Sequence, residues 1–329
     1  MNFFAVLFAL MLEQLKPLSR ENMIHDSVIA WVRWTGRNFD AGDKKHAIVV
    51  WVITVLGPTA VCALIYALLR HFSVVLALMF DVLVLYLTLG FRQFSHYYTD
   101  IRDALERGDE MQARQLLAQW RHLDASELPR TELMRHVMEH SLLAAHRHVF
   151  GVFFWFVLLS TLTLGPAGAV LYRLAEFANR YWAYKNRATD APTNERLMRI
   201  SQRLYSVIDH VPARMTASGF AVVGDFEEAI NCWRYYAKLW RHANEGVILA
   251  AAAGAIGVQL GGHAAPGVTP DRSKTFDVGA APDEAGAEGS TSGQEPQLGH
   301  LQSLVGLVWR SVVLWMLLLA LMTLANLVG

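Results

Sequence analysis

Four histidines and one glutamate lie within sixteen residues, between positions 135 and 150. His136, Glu139 and His140 match the H-x-x-E-H pattern of one class of zinc peptidases, in which two imidazoles bind the metal and a carboxylate activates a metal-bound water. The pattern identifies no third protein ligand. A helix that approaches a membrane interface with its histidines facing water or head groups explains the same residues. We therefore predict no metal site, and the pattern assigns no catalytic residue.

The composition indicates a membrane protein. Of the 329 residues, 53% are hydrophobic and 18% are charged, and the mean hydropathy is +0.26. This is more apolar than an ordinary soluble domain. The formal net charge is zero, so the bulk electrostatics give no reason to expect nucleic acid as a partner. The two cysteines, Cys62 and Cys232, are too few for a disulfide framework or a cysteine-based metal cluster.

Long apolar segments predict where the chain enters the membrane. A helix needs roughly 20 apolar residues to cross a bilayer, and residues 47–69 form a run of 23 without a formal charge. We predict an all-α fold, a polytopic helical bundle that crosses the cell inner membrane several times and has the lipid bilayer as its partner. The apolar segments are about 2–15, 47–69, 72–90, 149–171 and 246–262, followed by a transmembrane helix within 301–329.

Between the apolar segments, the sequence predicts cytoplasmic helical hairpins. Residues 97–120 have apolar side chains at helical spacing on both sides of a Gly-Asp pair, which is typical of two helices joined by a turn. Basic residues concentrate in 16–46 and 91–148, so we expect both segments in the cytoplasm. Within 149–171, the Gly165-Pro166 pair predicts a helix break, and this run either crosses the membrane or turns back. The topology after residue 171 stays open.

One acidic residue lies inside an apolar segment. Asp81 falls within 72–90, where a charged side chain is costly unless it faces the bundle interior or a polar cavity. A functional role and a structural polar contact both fit this position.

The composition changes near the C-terminus. Residues 263–300 are rich in Ala, Gly, Pro, Ser, Asp and Glu and contain few large apolar side chains, which is typical of a disordered loop. The sequence therefore predicts a membrane domain over 1–262, a disordered loop over 263–300 and a C-terminal transmembrane helix over 301–329.

Three elements carry a resemblance to a known family. They are "GPAGAVLYR" at residues 165–173, "DHVPARMTA" at 209–217 and "NEGVILAAAAGAIGVQLGG" at 244–262. Together they resemble the membrane family of adenosylcobinamide-phosphate synthases, the CobD/CbiB family, and its relatives, the AmpE-type regulatory membrane proteins. The resemblance extends over residues 1–262.

The resemblance implies a function. Synthases of this family join adenosylcobyric acid to an aminopropanol-type amine with ATP and Mg²⁺, which would then be the cofactors here. It also implies a pocket for a corrinoid or another polar small molecule between residues 139–179 and 209–249. The ligand-binding residues carried over from the family pattern are Glu139, Arg173, Glu176, Asn179, Arg214 and Asn244.

This chain departs from the family pattern at several acidic and amide positions. Leu143, Ala144 and Arg147 stand where the family has Glu, Asn and Asp, and Leu249 replaces another Glu. Carboxylates and amides are the oxygen ligands that Mg²⁺ prefers. Two hypotheses therefore stand: a membrane protein of cobalamin biosynthesis, and a non-enzymatic AmpE-like regulator or envelope sensor on the same scaffold.

Overall fold

A computed structural model describes residues 2–15, 23–39, 44–121, 125–188, 195–262 and 289–328. These residues are almost entirely helical, and the described part of the chain contains two isolated β-bridges but no strand. The predicted all-α fold is therefore confirmed. The helices are α1 (Asn2–Leu15), α2 (Met23–Phe39), α3 (Lys44–Phe72), α4 (Val74–Thr88), α5 (Phe91–Glu106), α6 (Glu110–Arg121), α7 (Arg130–Ala145), α8 (Gly151–Thr161), α9 (Ala167–Ala188), α10 (Glu195–Ile208), α11 (His210–Val223), α12 (Phe226–Tyr236), α13 (Ala243–Ile256) and α14 (Leu298–Val328), with a π-helical turn at His146–Phe150 and a 3₁₀ turn at Ala237–Leu239.

Three helical stretches among the described residues are long and apolar enough to cross a membrane. They are Lys45–Phe72, Arg130–Thr161 and Leu298–Ala325. Helix α3 exposes large apolar side chains such as Leu64 and Leu68. A soluble protein rarely exposes so much contiguous apolar surface, whereas lipid covers it without cost. The helices α1, α4 and α13 are apolar but shorter.

The chain divides into two compact units. The first unit consists of residues 1–93, 147–209 and 323–329. In it, the predicted break within 149–171 is confirmed, because α8 ends at Thr161 and α9 begins at Ala167. The connection has positive φ angles at Thr163 (63°) and Gly165 (57°). A Cβ at Gly165 would overlap the ring of Tyr66, so this turn needs glycine for its backbone angle and for space.

Asp81 lies on α4 in the first unit. Its side chain is buried, with 3% of the residue exposed, as expected for an acid within an apolar helix. One of its oxygens, Oδ1, has no hydrogen-bond partner among the described residues.

The second unit consists of residues 94–146 and 210–322. Most of α5 and all of α6 form the predicted helical hairpin, which is confirmed. Gly108 has a φ of 79° in the turn, and Asp109 accepts a hydrogen bond from the Gln112 N–H at 2.9 Å. A side-chain acceptor at this position satisfies an N–H that the first turn of α6 would otherwise leave without a partner.

The small residues of α13 allow close packing within the second unit. A Cβ at Gly254 would overlap the Glu228 carbonyl, and one at Gly246 would overlap the Ala237 carbonyl oxygen. Small residues that let two backbones approach are typical of helices packed in membranes. Nearly all residues of α13 are buried.

The apolar segment 246–262 is helical only up to Ile256 and is not one continuous helix. Helix α13 ends at Ile256, because Gly257 adopts a left-handed conformation with a φ of 69°. The following residues run beside a second segment instead. Gln259 N–H donates to the Gln294 carbonyl oxygen at 2.8 Å, and Thr291 N–H donates to the Leu260 carbonyl oxygen at 2.9 Å.

These hydrogen bonds also correct the predicted disordered loop. Residues 289–294 pair with 257–262, and α14 begins at Leu298, so the prediction of disorder over 263–300 is wrong for 289–300. The polar composition of residues 289–294 is explained by their backbone pairing and by Thr291. The hydroxyl oxygen of Thr291 accepts a hydrogen bond from the Leu260 N–H at 2.8 Å. The rest of that prediction, 263–288, lies outside the described residues.

Candidate functional site

In the first unit, α9 carries a buried ionic cluster. Arg173, Glu176 and Arg180 lie three and four residues apart, which places them on one face of the helix. Oε2 of Glu176 accepts hydrogen bonds from Arg173 Nη1 at 3.0 Å and from Arg180 Nη2 at 3.1 Å. Nε of Arg180 forms an ion pair with Oε1. The Glu176 side chain is fully buried, so both of its oxygens are used to neutralise arginines.

The same unit contains a second buried network, in which Tyr172, Tyr205 and Asp209 are joined by hydrogen bonds. The Tyr172 hydroxyl donates to Asp209 Oδ1 at 2.8 Å and lies 3.3 Å from the Tyr205 hydroxyl oxygen. Burial, and after it the negative charge of Asp209, raises the pKa of both tyrosines well above the ordinary value of 10.0. Both hydroxyls therefore stay protonated at neutral pH. A Cβ at Gly151 would overlap the Tyr172 ring, so Gly151 makes room for this network.

The sequence patterns did not assign these three residues to the site. The signal was present, because Tyr172 directly precedes Arg173 at the end of the element over 165–173, and Asp209 begins the element over 209–217. A tyrosine beside an apolar run is explained equally well as a membrane-interface anchor. Only the fold brings Tyr172 and Asp209 within hydrogen-bond distance.

Asn179 is the third predicted site residue in the first unit. It lies on α9 and is half-buried. Its Oδ1 has no hydrogen-bond partner among the described residues. Of the three predicted residues here, the hydrogen bonds thus join Arg173 with Glu176.

In the second unit, Glu139 and Arg135 bind the backbone N–H and the backbone carbonyl of the same residue, Gly261. Oε1 of Glu139 accepts the Gly261 N–H at 2.7 Å, and Arg135 Nη1 donates to the Gly261 carbonyl oxygen at 2.7 Å. Arg135 also pairs with Glu132 on the same helix. Gly261 has a φ of 78°, and a Cβ there would overlap the Gly289 carbonyl oxygen. The Gly-Gly pair that ends the element over 244–262 is therefore a turn that α7 fixes in place.

Arg214 and Asn244 meet within the second unit. Arg214 belongs to α11 and Asn244 to α13. Nη1 of Arg214 donates a hydrogen bond to Oδ1 of Asn244 at 3.2 Å. It also donates to the His210 carbonyl oxygen at 2.7 Å. The predicted set of six is therefore divided, with Arg173, Glu176 and Asn179 in the first unit and Glu139, Arg214 and Asn244 in the second.

The side chains of the H-x-x-E-H pattern have other contacts in the described part of the chain. Among the residues that the structure describes, no three His, Cys, Asp or Glu side chains lie together as metal ligands would. Nδ1 of His136 lies 3.2 Å from Arg121 Nη1, and a guanidinium can only donate. His140 has its ring against the Trp120 ring, with centroids 4.5 Å apart.

The donor set also does not fit a magnesium ion held by the protein. Mg²⁺ needs hard oxygen ligands in octahedral geometry. Both oxygens of Glu176 are engaged by arginines, and Oε1 of Glu139 is engaged by the Gly261 peptide. These side chains therefore do not form a magnesium site of their own.

The fold and these clusters define a helical membrane protein with buried Arg–carboxylate pairs and a Gly-Gly turn held by Glu139 and Arg135. The family model described as "CobD/Cbib protein" matches residues 3–284. The chain therefore belongs to the CobD/CbiB family, and this confirms the first resemblance.

Curated relatives agree with the family. The chain is similar to the "Cobalamin biosynthesis protein CobD" of Stutzerimonas stutzeri (strain A1501), with 32% identity over 278 residues, or 84% of this chain and 82% of the relative. A protein of the same description from Chromobacterium violaceum is 33% identical over 225 residues, or 65% of this chain and 67% of the relative. One from Leptospira interrogans is 25% identical over 193 residues, or 57% of this chain and 58% of the relative. No solved structure matches the chain.

Proposed function

We propose that this protein acts in cobalamin biosynthesis as a multi-pass protein of the cell inner membrane. In this proposal it joins the carboxyl group of adenosylcobyric acid to an aminopropanol-type amine and uses ATP to activate the carboxylate. ATP would bring Mg²⁺ on its phosphates, since the described carboxylates do not form a cage for the ion.

The observation that carries the proposal is the clamp on the Gly-Gly turn. Glu139 and Gly261 belong to two segments of the family pattern that lie 122 residues apart, and the structure joins them by a hydrogen bond of 2.7 Å. A buried carboxylate that holds a glycine turn is costly to desolvate and does not arise from membrane insertion alone. The similarity to curated CobD proteins over most of the chain supports the same function.

A non-enzymatic, AmpE-like regulator is the second candidate function. It is favoured by the Glu176 cluster, in which two arginines neutralise the carboxylate. The replacements at Leu143, Ala144 and Leu249 remove further polar groups.

A direct assay tests the proposed activity. The purified full-length protein in lipid nanodiscs is incubated with ATP, adenosylcobyric acid and either aminopropanol or aminopropanol phosphate, and the amide product is measured by mass spectrometry. We expect a product that depends on ATP and on the amine. Absence of product with both amines, from protein that is folded by circular dichroism, contradicts the proposal.

A genetic test separates the two candidates. Deletion of the gene, in an organism that has no second synthase, should create a requirement for added corrinoid. Normal growth without corrinoid, together with an altered response to β-lactams, would instead favour the regulator. Fractionation of the envelope should place the protein in the inner membrane.

A further inference from the structure

The buried polar atoms of α7 that have no hydrogen-bond partner among the described residues include Nε2 of His136 and Oε2 of Glu139. Their residues are 6% and 1% exposed, so water at the protein surface does not satisfy these atoms. Because the two residues lie three positions apart on one helix, their side chains share a face. Buried polar groups are almost always hydrogen-bonded in folded proteins, and the described part of the chain supplies no partner for these two atoms.

The proton on His136 can be assigned from its neighbour. Nη1 of Arg121, at the end of α6, lies 3.2 Å from His136 Nδ1. A guanidinium is always charged and has no acceptor, so Nδ1 must accept this hydrogen bond. The single ring proton of the neutral imidazole is then on Nε2. The unpartnered atom of His136 is therefore an N–H donor.

The unpartnered atom of Glu139 is an acceptor in a fixed position. Its other oxygen, Oε1, accepts the Gly261 N–H at 2.7 Å and lies 3.8 Å from Arg135 Nε. These contacts fix the plane of the carboxylate and thereby the position of Oε2. The α7 face thus presents one donor and one carboxylate acceptor that are both held by other groups.

The chemistry of this pair limits what can occupy it. A free phosphate or carboxylate would suit the His136 donor, but it has no donor for Oε2 of Glu139. A simple cation would suit Glu139 and leave the His136 N–H without an acceptor. A molecule with an ammonium group and a nearby oxygen satisfies both atoms, because the ammonium group has three donors and forms a charge-assisted bond to a carboxylate.

We propose that His136 and Glu139 bind the amine substrate, with Glu139 Oε2 accepting from the amino group and His136 Nε2–H donating to an oxygen of the same molecule. This assignment rests on the proposed function, which supplies an amino alcohol or its phosphate as a substrate. His136 is then a specificity-determining residue that distinguishes an amino alcohol from a simple amine. Arg121 is a positioning residue, because it acts through the His136 tautomer.

Two substitutions at His136 form a matched pair. In His136→Asn, the shorter amide keeps an acceptor near the position of Nδ1 for Arg121 but places no donor at the position of Nε2. In His136→Gln, the longer amide places an N–H donor near the position of Nε2. A purely structural role of His136 gives no reason for these variants to differ in their preference between two ligands.

The experiment measures binding of aminopropanol and of propylamine, which lacks the oxygen, by calorimetry on the full-length protein in nanodiscs. The wild type should bind aminopropanol about tenfold more tightly, which is the effect of one hydrogen bond. This preference should disappear in His136→Asn and persist in His136→Gln. If a variant does not fold, the affinities of the wild type for aminopropanol and propylamine still test the proposal.

Equal affinities of the wild type for both ligands, or no binding of either, would overturn the proposal and leave the two atoms as a site for ordered water. An unchanged preference in folded His136→Asn would overturn it as well. Because the readout is binding of the amine alone, it is independent of amide formation. Selective binding by a protein without synthase activity would support this inference and contradict the proposed function.

Discussion

Each unit of the protein buries a glutamate beside arginines, but the two glutamates use their oxygens differently. In the first unit, the Glu176 oxygens are shared between Arg173 and Arg180. In the second unit, Glu139 binds the Gly261 peptide with Oε1 and leaves Oε2 without a hydrogen-bond partner among the described residues. In the first arrangement each carboxylate oxygen lies against an arginine, whereas in the second Oε2 has no donor among the described residues.

This difference indicates different roles for residues that the family pattern places together. A buried ion pair whose partners satisfy each other contributes little chemistry and is costly to disrupt. A buried carboxylate oxygen without a donor costs free energy, and a ligand that supplies the donor recovers it. We therefore expect Glu176 to matter mainly for stability and Glu139 mainly for binding.

The largest effect on stability is expected from Glu176→Ala. It leaves the Arg173 and Arg180 charges without their buried partner, which typically costs about 3–5 kcal/mol in free energy of unfolding. Glu195→Ala is the matched control, because Glu195 pairs with Arg199 at the same i,i+4 spacing, but its side chain is 63% exposed. The control should cost less than about 0.5 kcal/mol. Thermal unfolding in detergent, followed by circular dichroism, measures both, and equal losses would contradict the comparison.

Gly261→Ala is expected to have the next largest effect. The added Cβ would overlap the Gly289 carbonyl oxygen, and alanine is strained at a φ of 78°. We expect a loss of about 2–3 kcal/mol, since a residue forced into this region costs about 1–3 kcal/mol before any steric clash is counted. Gly306→Ala in α14 is the control, because no atom lies within 4 Å of its added Cβ. An unchanged free energy of unfolding in Gly261→Ala would contradict this prediction. It would mean that the turn held by α7 does not require glycine at this position.

Tyr172→Phe should have a smaller effect, about 1–2 kcal/mol, because it removes the hydrogen bond to the buried Asp209. The tyrosines also predict a pH dependence. Their pKa values in the folded protein are raised above 10.0 by burial and by Asp209, so the folded state holds these protons more tightly than the unfolded state does. This contribution to stability is complete below pH 10 and is lost as the pH rises above it.

Ultraviolet absorbance of tyrosinate measures this titration. The two buried tyrosines should ionise only when the protein unfolds, and Tyr172→Phe should reduce the absorbance change at unfolding. Tyr235→Phe is the control, because Tyr235 is 73% exposed. Ionisation of Tyr172 near its ordinary pKa in the folded protein would mean that the network around Asp209 is open to water.

The sequence predicts the helices more completely than the site, and particular residues show why. The break at Gly165-Pro166 and the hairpin turn at Gly108 follow from local backbone chemistry, which a single segment carries. The pairing of 257–262 with 289–294 joins segments on both sides of 263–288, so composition alone suggested disorder. A polar segment resembles a disordered loop until its backbone partners are known.

The contacts within the site also could not be predicted from the sequence. The family pattern assigns Glu139 and Glu176 the same role in ligand binding, because a motif records residue types but not which carboxylate oxygen already has a partner. The H-x-x-E-H pattern presents His136 only as a metal ligand. The significance of His136 depends on Arg121, fifteen residues earlier in the chain, which fixes the imidazole tautomer across two packed helices.

Glu139→Gln should have the smallest effect on stability and therefore tests the comparison most sharply. The amide oxygen of glutamine can still accept the Gly261 N–H, and the amide NH₂ replaces an oxygen that has no partner to lose. Neutralising the side chain also removes the desolvation cost of a buried charge, which offsets the weakened attraction to Arg135. We expect a loss of less than about 1 kcal/mol in the free energy of unfolding.

Binding of aminopropanol to Glu139→Gln should nevertheless weaken by about tenfold or more, because a donor now faces the amino group. Glu176→Gln is the paired variant, and it should lose more stability than Glu139→Gln while the folded protein keeps its affinity for the amine. Calorimetry and thermal unfolding on the same preparations measure both quantities. The reverse result, a destabilised Glu139→Gln with normal binding, would mean that Glu139 serves only to hold the Gly261 turn.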